Sequence, residues 1–247
     1  MKILLIGAGN MGGAMLSGLD RSEMTVVEAW APRAEELSAR YPEITVTYTI
    51  PPLDGYVVIL AVKPQSLAEM HFTGEAEALI SILAGIPLAT LREKVPAKAY
   101  IRAMPNIAAL KQKSITSVTG DTTFKEQAVH ILSSIGKAIW LESERQLDIA
   151  TGIGGSAPAW LALVAEALSD GAVNLGLPRT VSYEYVAALM DGMGALLAEE
   201  HPALLKDKVM SPGGTTAAGY AELEAGGVRD AFIKAMGACY ARTQELG

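Results

Sequence analysis

Two short runs hold residue types at spacings that can do chemistry. Near the start, Gly7-Ala8-Gly9-Asn10-Met11-Gly12 fits the pattern G-x-G-x-x-G. It follows an apolar pentapeptide, Lys2–Ile6. It opens a stretch with Met11, Met15, Leu16 and Leu19 on one helical face. That is the strand-then-helix context the pattern requires. The first glycine permits a tight turn, the second lets the backbone approach a pyrophosphate, and the third lets helix pack on strand. The first helical N–H groups then face the phosphates. Gly7 to Gly12 are therefore expected to hold a dinucleotide, with a purely structural turn as the alternative. The second run is Ser211-Pro212-Gly213-Gly214-Thr215-Thr216. Its proline and glycines preset a turn, and its threonines open a helix to about Ala225. Such a turn aims backbone N–H groups and hydroxyls at one point, a nest suited to a carboxylate. The alternative is a glycine turn with a threonine N-cap.

Further positions join the first run. In a dinucleotide fold the second strand ends in an acid, about 20 residues beyond the glycines, that holds the ribose 2′-hydroxyl. Glu28 reads as lying within that strand, too early for the role, while Arg33 can meet a 2′-phosphate. This favours NADPH over NADH and leaves NADH open; Arg33 as an ordinary solvated helix residue is the other reading. Ala61-Val62-Lys63-Pro64 ends a strongly apolar strand, where Pro64 stops the ladder beside the expected cofactor cleft. Lys63 there is a ligand or a solvated loop lysine.

The elements that must position these residues fall into two sets. Up to about residue 141, apolar runs alternate with amphipathic ones. Strands are expected at Lys2–Ile6, Thr25–Trp30, Ile44–Thr47, Tyr56–Val62, Leu79–Leu83, Ala99–Arg102 and Ala138–Leu141. Helices are expected at Asn10–Leu19, Arg33–Arg40 and Thr122–Ile135. This alternation argues for an α/β fold, a Rossmann-type dinucleotide-binding domain over 1–141 with a parallel sheet. From 142 to 247 the strand signals vanish. Helices are expected at Gln146–Gly176, broken at Gly152–Pro158, and at Val181–Glu200, Thr215–Ala225 and Val228–Leu246. Their Ala, Gly and Met content and their apolar surplus imply an all-helical domain, over which the Ser211–Thr216 turn is the expected substrate site, that buries a face against a second copy. Packing only on its own first domain is the alternative.

Composition removes several classes. Of 247 residues, half are hydrophobic and the net charge is −7, so a large core is available and no basic stretch suggests nucleic acid. The uncharged runs fall short of the roughly 18 apolar residues of a membrane span. One cysteine, Cys239, cannot make an intrachain disulfide and fits a reducing, cytoplasmic setting. His71, His130 and His201 show no metal-ligand spacing. His201, before Pro202, reads as a helix cap, and Cys239 as core.

Beyond these runs stand Arg102-Ala103-Met104-Pro105-Asn106, Gly176-Leu177-Pro178-Arg179 and Leu205-Lys206-Asp207-Lys208-Val209-Met210. After Thr216 come Ala218-Gly219, Leu223-Glu224 and Gly227-Val228-Arg229. In this order, with the two runs above, the chain resembles the pyrroline-5-carboxylate reductases over essentially its whole length. The resemblance implies a small cyclic imine as substrate, NADPH or NADH as reductant, and L-proline as product. It also implies a homo-oligomer, a dimer at least, with rings of dimers as a larger form. Ser211, Gly213, Gly214, Thr215 and Thr216 would bind the substrate carboxylate. Thr216, with Thr215 second, would hydrogen-bond the ring nitrogen as the catalytic group. Asn106 would reach the cofactor amide or form an Asx turn.

The chain departs from the family pattern at two places. Ile107-Ala108 stands where the family has Thr-Pro, and Ser156-Ala157-Pro158-Ala159-Trp160 where it has Ser-Gly-Pro-Ala-Tyr. Both departures bear on substrate fit or rate. Three rivals stay open. The β-hydroxyacid dehydrogenases share the glycine start, but no lysine of their kind lies in Gly152–Trp160. The others are a reductase of another cyclic imine and a non-catalytic NADP-binding protein.

Overall fold

Alternation along the strands sorts the core into two layers. The computed structural model describes residues 1–246. In β1 (Lys2–Ile6) and β4 (Tyr56–Leu60), Ile3, Leu5, Val57 and Ile59 point into one apolar cluster. Leu4, Ile6, Val58 and Leu60 point into the other. Successive side chains leave opposite faces of a strand, so a segment apolar at every position must be covered on both sides. Met15 and Leu16, from α1 (Asn10–Met15) and the residue after it, and Leu132 of α4 (Lys125–Ser133) cover the first face. Leu67 and Leu91, the latter in α3 (Leu88–Lys94), cover the second.

The sheet has eight strands in the order β3-β2-β1-β4-β5-β6-β7-β8. The others are β2 (Met24–Val27), β3 (Thr45–Thr47), β5 (Ala78–Ser81), β6 (Tyr100–Met104), β7 (Ser114–Gly120) and β8 (Gly136–Trp140). Chain order reverses between β1 and β4, which opens a crevice at their carboxyl ends. Pairing is parallel throughout except β6 with β7. The antiparallel β7, a strand the sequence reading lacks, corrects the expectation of an all-parallel sheet. Its sequence, Ser-Ile-Thr-Ser-Val-Thr-Gly, looks like a polar loop, yet its hydroxyls are buried and satisfied. Ser114 and Thr116 bond each other at 3.1 Å, and Thr119 donates to the Leu141 carbonyl at 2.8 Å.

Residues 1–155, with the described residues from Cys239 onward, form one compact unit, and 156–238 form a second. The first unit runs past residue 141 because α5 (Glu144–Thr151) packs on the sheet through Leu147, which is 1% exposed. Arg102 of β6, itself buried, ties α5 down by salt bridges to Glu144 at 2.7 Å and Asp148 at 3.2 Å. The Glu144 carboxylate also accepts the Leu88 N–H at the start of α3.

The second unit contains α6 (Ala157–Asn174), α7 (Arg179–Glu199), α8 (Pro202–Val209), α9 (Thr215–Ala225) and the first part of α10 (Val228–Leu246). Small buried residues hold α6 to α7: Ser182 donates to the Ser169 carbonyl at 3.1 Å. Arg179 pairs with Asp170, and that carboxylate holds the guanidinium above its ordinary pKa. Gly176, at φ +103, makes the turn between them. Much apolar surface stays uncovered within the chain: Leu163 is 63% exposed, and Leu161, Leu189 and Leu196 are exposed as well. By length and composition alone, the helical stretch 144–174 is apolar enough to cross a membrane.

Replacing Arg102 with Met would strand two partly buried carboxylates. Arg102→Met is expected to lower unfolding free energy by about 2–3 kcal/mol, less than for a fully buried pair because Glu144 reaches solvent. Urea denaturation measures it, and a change under about 0.5 kcal/mol would contradict this role.

Candidate functional site

The glycine turn sits where three strand ends meet. Gly7 N–H donates to the Val27 carbonyl at the end of β2, and Ala61 N–H donates to the Ile6 carbonyl at the end of β1. Gly7 takes φ +92, and a Cβ on it would lie 2.9 Å from the Ala61 carbonyl and the Val62 side chain. A side chain on Gly12 would run into the Gly7 carbonyl. Gly9 differs: nothing lies within 4 Å of where its Cβ would stand, so its outer face is open to a ligand. No side chain caps α1 at Gly9. Two glycines for close packing and one for open approach is the cradle a pyrophosphate requires. Gly7, Ala8, Gly9, Asn10, Met11, Gly12, Ala61 and Val62 are thus brought to one place. Lys63 and Pro64 follow directly, with Lys63 at the N-cap of a 3-10 turn, Pro64–Glu69.

Charge around Ala8 corrects the reading of Glu28. Strand β2 ends at Val27, so Glu28 stands just past it. One carboxylate oxygen accepts the Ala8 N–H at 3.0 Å, and the other accepts the Trp30 N–H at 3.0 Å. Arg33, in α2 (Ala31–Arg40), donates from Nε to the Ala8 carbonyl at 3.1 Å and pairs through Nη1 with Glu36 at 2.7 Å. Its Nη2 lies over Gly13. The middle residue of the glycine motif is clamped from both sides. Glu28, Trp30, Arg33, Glu36 and Arg40 line one pocket with Gly9, Asn10 and Gly13.

Asn106 takes the second of its two expected readings. It is buried, its Oδ1 accepts the Ala108 N–H, and its Nδ2 donates to the Gly154 carbonyl at 2.9 Å. The Asx turn is what it forms. Its amide also anchors the π-helical turn Gly152–Ser156 that separates α5 from α6. Ile107, which follows, is exposed.

In the helical unit the loop Ser211–Thr216 joins α8 to α9. Gly214 N–H donates to the Ser211 carbonyl at 3.0 Å, Gly213 takes φ +69, and a side chain on Gly214 would meet the Ser211 hydroxyl oxygen. The N-cap of α9 is Gly214 with no side-chain cap, so the threonine cap is not formed. Thr215 and Thr216 are exposed at the first turn. Below the loop, Lys206 of α8 lies 5.4 Å over the Tyr220 ring of α9. Tyr220 donates to Glu224 and accepts from Arg229 at 2.6 Å. Arg229 first, and then Tyr220, hold the Glu224 carboxyl below the ordinary carboxylate range. His201 caps α8 by accepting the Ala203 N–H at 3.2 Å. Cys239 is half-buried in α10.

Comparison with known proteins finds two family models along the chain. A family model described as pyrroline-5-carboxylate reductase dimerisation matches residues 144–246. One described as NADP oxidoreductase, coenzyme F420-dependent, matches residues 2–85. A pyrroline-5-carboxylate reductase of Synechocystis is 42% identical over 201 residues, 77% of this chain and 75% of that one. Its counterpart in Corynebacterium melassecola is 35% identical over 99% of this chain and 98% of its own. The solved pyrroline-5-carboxylate reductase of Coxiella burnetii superposes with a TM-score of 0.87 at 28% identity, covering 100% of this chain and 98% of that one.

The glycines separate by role. Gly9→Ala is expected to fold normally and weaken dinucleotide binding about tenfold or more, because a methyl enters the open face. Gly12→Ala is expected to lose stability as well, through its clash with Gly7. Thermal melts and dinucleotide titration of both variants check this; equal behaviour would contradict the assignment.

Proposed function

The chain belongs to the pyrroline-5-carboxylate reductase family, and we propose that it reduces the C=N bond of 1-pyrroline-5-carboxylate with a nicotinamide dinucleotide, giving L-proline. The observation that carries this reading is the Ser211–Thr216 turn. Its open N–H groups, Ser211 hydroxyl and exposed threonines at the start of an uncapped eleven-residue helix suit a carboxylate beside a ring nitrogen.

When bound, the reduced nicotinamide supplies hydride to the imine carbon. The protein's own part is position. The backbone amides of Gly213, Thr215 and Thr216, with the Ser211 hydroxyl, hold the carboxylate, while the Gly214 N–H stays on the Ser211 carbonyl. The Thr216 hydroxyl bonds the ring nitrogen, with Thr215 as second choice. With an iminium substrate that hydroxyl only orients; with a neutral imine it relays a proton from water to nitrogen. The glycine turn Gly7–Gly12, with Ala61 to Pro64, holds the dinucleotide. The expectation of NADPH depends on Arg33 meeting a 2′-phosphate, and its bonds to Ala8 and Glu36 weaken that support. Asn106 holds the Gly152–Ser156 turn through the Gly154 carbonyl.

A homodimer covering the apolar faces of α6 and α7 completes the reading, and the dimerisation match over 144–246 supports it. Rings of dimers are a larger form open to it. The single cysteine suits a cytoplasmic setting. Light scattering is expected to return at least twice the 25.9 kDa chain mass; a stable monomer would remove this part.

The reaction is tested by following oxidation of reduced cofactor when pyrroline-5-carboxylate is added. Thr216→Ala is expected to lower kcat/KM by about 10²–10³, from loss of one hydrogen bond at the reacting centre, with dinucleotide binding unchanged. Wild-type turnover in that variant would reject the role of Thr216. No turnover by the parent chain would reject the reaction.

A further inference from the structure

We infer that Glu28 makes this chain prefer NADH over NADPH; the inference rests on the dinucleotide site proposed above. The group at the carboxyl end of the second strand faces the adenosine ribose in this fold. Glu28 occupies that place and is fixed there, each oxygen accepting one backbone N–H, from Ala8 and from Trp30. A carboxylate oxygen has about two acceptor sites, so each retains one. Both remaining sites want a donor. A ribose 2′,3′-diol brings two. A 2′-phosphate at neutral pH brings about −1.5 to −2 charge and acceptors instead, so it meets repulsion where the diol finds two charge-assisted hydrogen bonds.

The basic groups nearby do not reverse this. The charged residues lining the pocket are Glu28, Arg33, Glu36 and Arg40, two acids and two bases. Arg33 spends Nε on the Ala8 carbonyl and Nη1 on Glu36. Its Nη2 lies over Gly13, and its charge is already shared with the Glu36 carboxylate at 2.7 Å. Arg40 lies 5.2 Å over the Tyr41 ring. Glu28 cannot turn aside without leaving two backbone donors unpaired, which makes it the stiffer of the two charges at Ala8.

The test is equilibrium binding of NADH and of NADPH to the full chain, by calorimetric titration. Like charges placed side by side cost several kcal/mol, so NADH is expected to bind at least about tenfold more tightly. Glu28→Gln removes the charge and keeps one of the two acceptors for the Ala8 and Trp30 N–H groups. It should weaken NADH, strengthen NADPH and bring the ratio near one. Because the ratio is read within one preparation, partial misfolding cancels. A parent that prefers NADPH, or a ratio unmoved by Glu28→Gln, overturns the inference. Binding of neither dinucleotide overturns it together with the cofactor site. Normal binding without turnover on pyrroline-5-carboxylate would count against the proposed reaction alone and leave the ratio to decide this point.

Discussion

The close approach of Gly7 to the Ala61 carbonyl and the Val62 side chain is the constraint on which the ligand crevice of the first unit depends. Three strand ends converge there, joined by Gly7 N–H to Val27 and Ala61 N–H to Ile6. A side chain at Gly7 would lie within 2.9 Å of the Ala61 carbonyl, and the positive φ excludes most residues in any case. Because the backbones touch, β4 can sit directly beside β1, and the reversal of chain order falls at the glycine turn. Ligand crevice and packing contact are therefore one feature. The same geometry brings the first residues of the β2–α2 corner against Ala8, which is why an acid at 28 and a base at 33 both bond the backbone of one residue.

In the helical unit, the charges whose protonation is displaced serve position. Arg229, Glu224 and Tyr220 form one cluster, and Lys206, raised chiefly by Asp207, lies over the same tyrosine. These pairs are exposed, and singly each contributes little to stability. Their effect is geometric. They brace α8 and α9 on either side of the Ser211–Thr216 turn, so the turn's N–H groups keep their direction. Transfer to an imine asks for little acid–base work when the substrate arrives protonated. A scaffold of glycines and braces suits that demand.

What the sequence made legible follows from which signals are local. Lys2–Ile6, Tyr56–Val62 and Thr215–Ala225 appear close to their expected limits because burial on two faces, or a glycine before a helical run, is written in neighbouring residues. The antiparallel β7 was hidden, since its serines and threonines read as loop until their partners across the sheet are known. Helices α3 and α8 were missed for a related reason: each is short, and Leu91 and Leu205 are their only buried residues. At the site, the glycine motif and the Ser211–Thr216 turn were both readable. The place of Glu28 was not, and of Asn106 the Asx turn was readable but the bond to Gly154 was not. One depends on where a strand stops by a single residue. The other depends on Gly154, 48 positions away.

The helical unit poses a last question of energy. Helix α9 buries no residue within the chain, and α6 buries only Ser169. Isolated helices of eleven residues are marginal in water, and most helical stability in proteins comes from packing an apolar face. The Lys206–Tyr220–Glu224–Arg229 cluster orients α9 but cannot replace that packing. If a second copy supplies it, then the turn that begins α9 owes its order to association. Stability, and with it the substrate turn, then becomes inseparable from protomer concentration. On this argument the order of the Ser211–Thr216 turn rests on packing that α9 does not find within the chain.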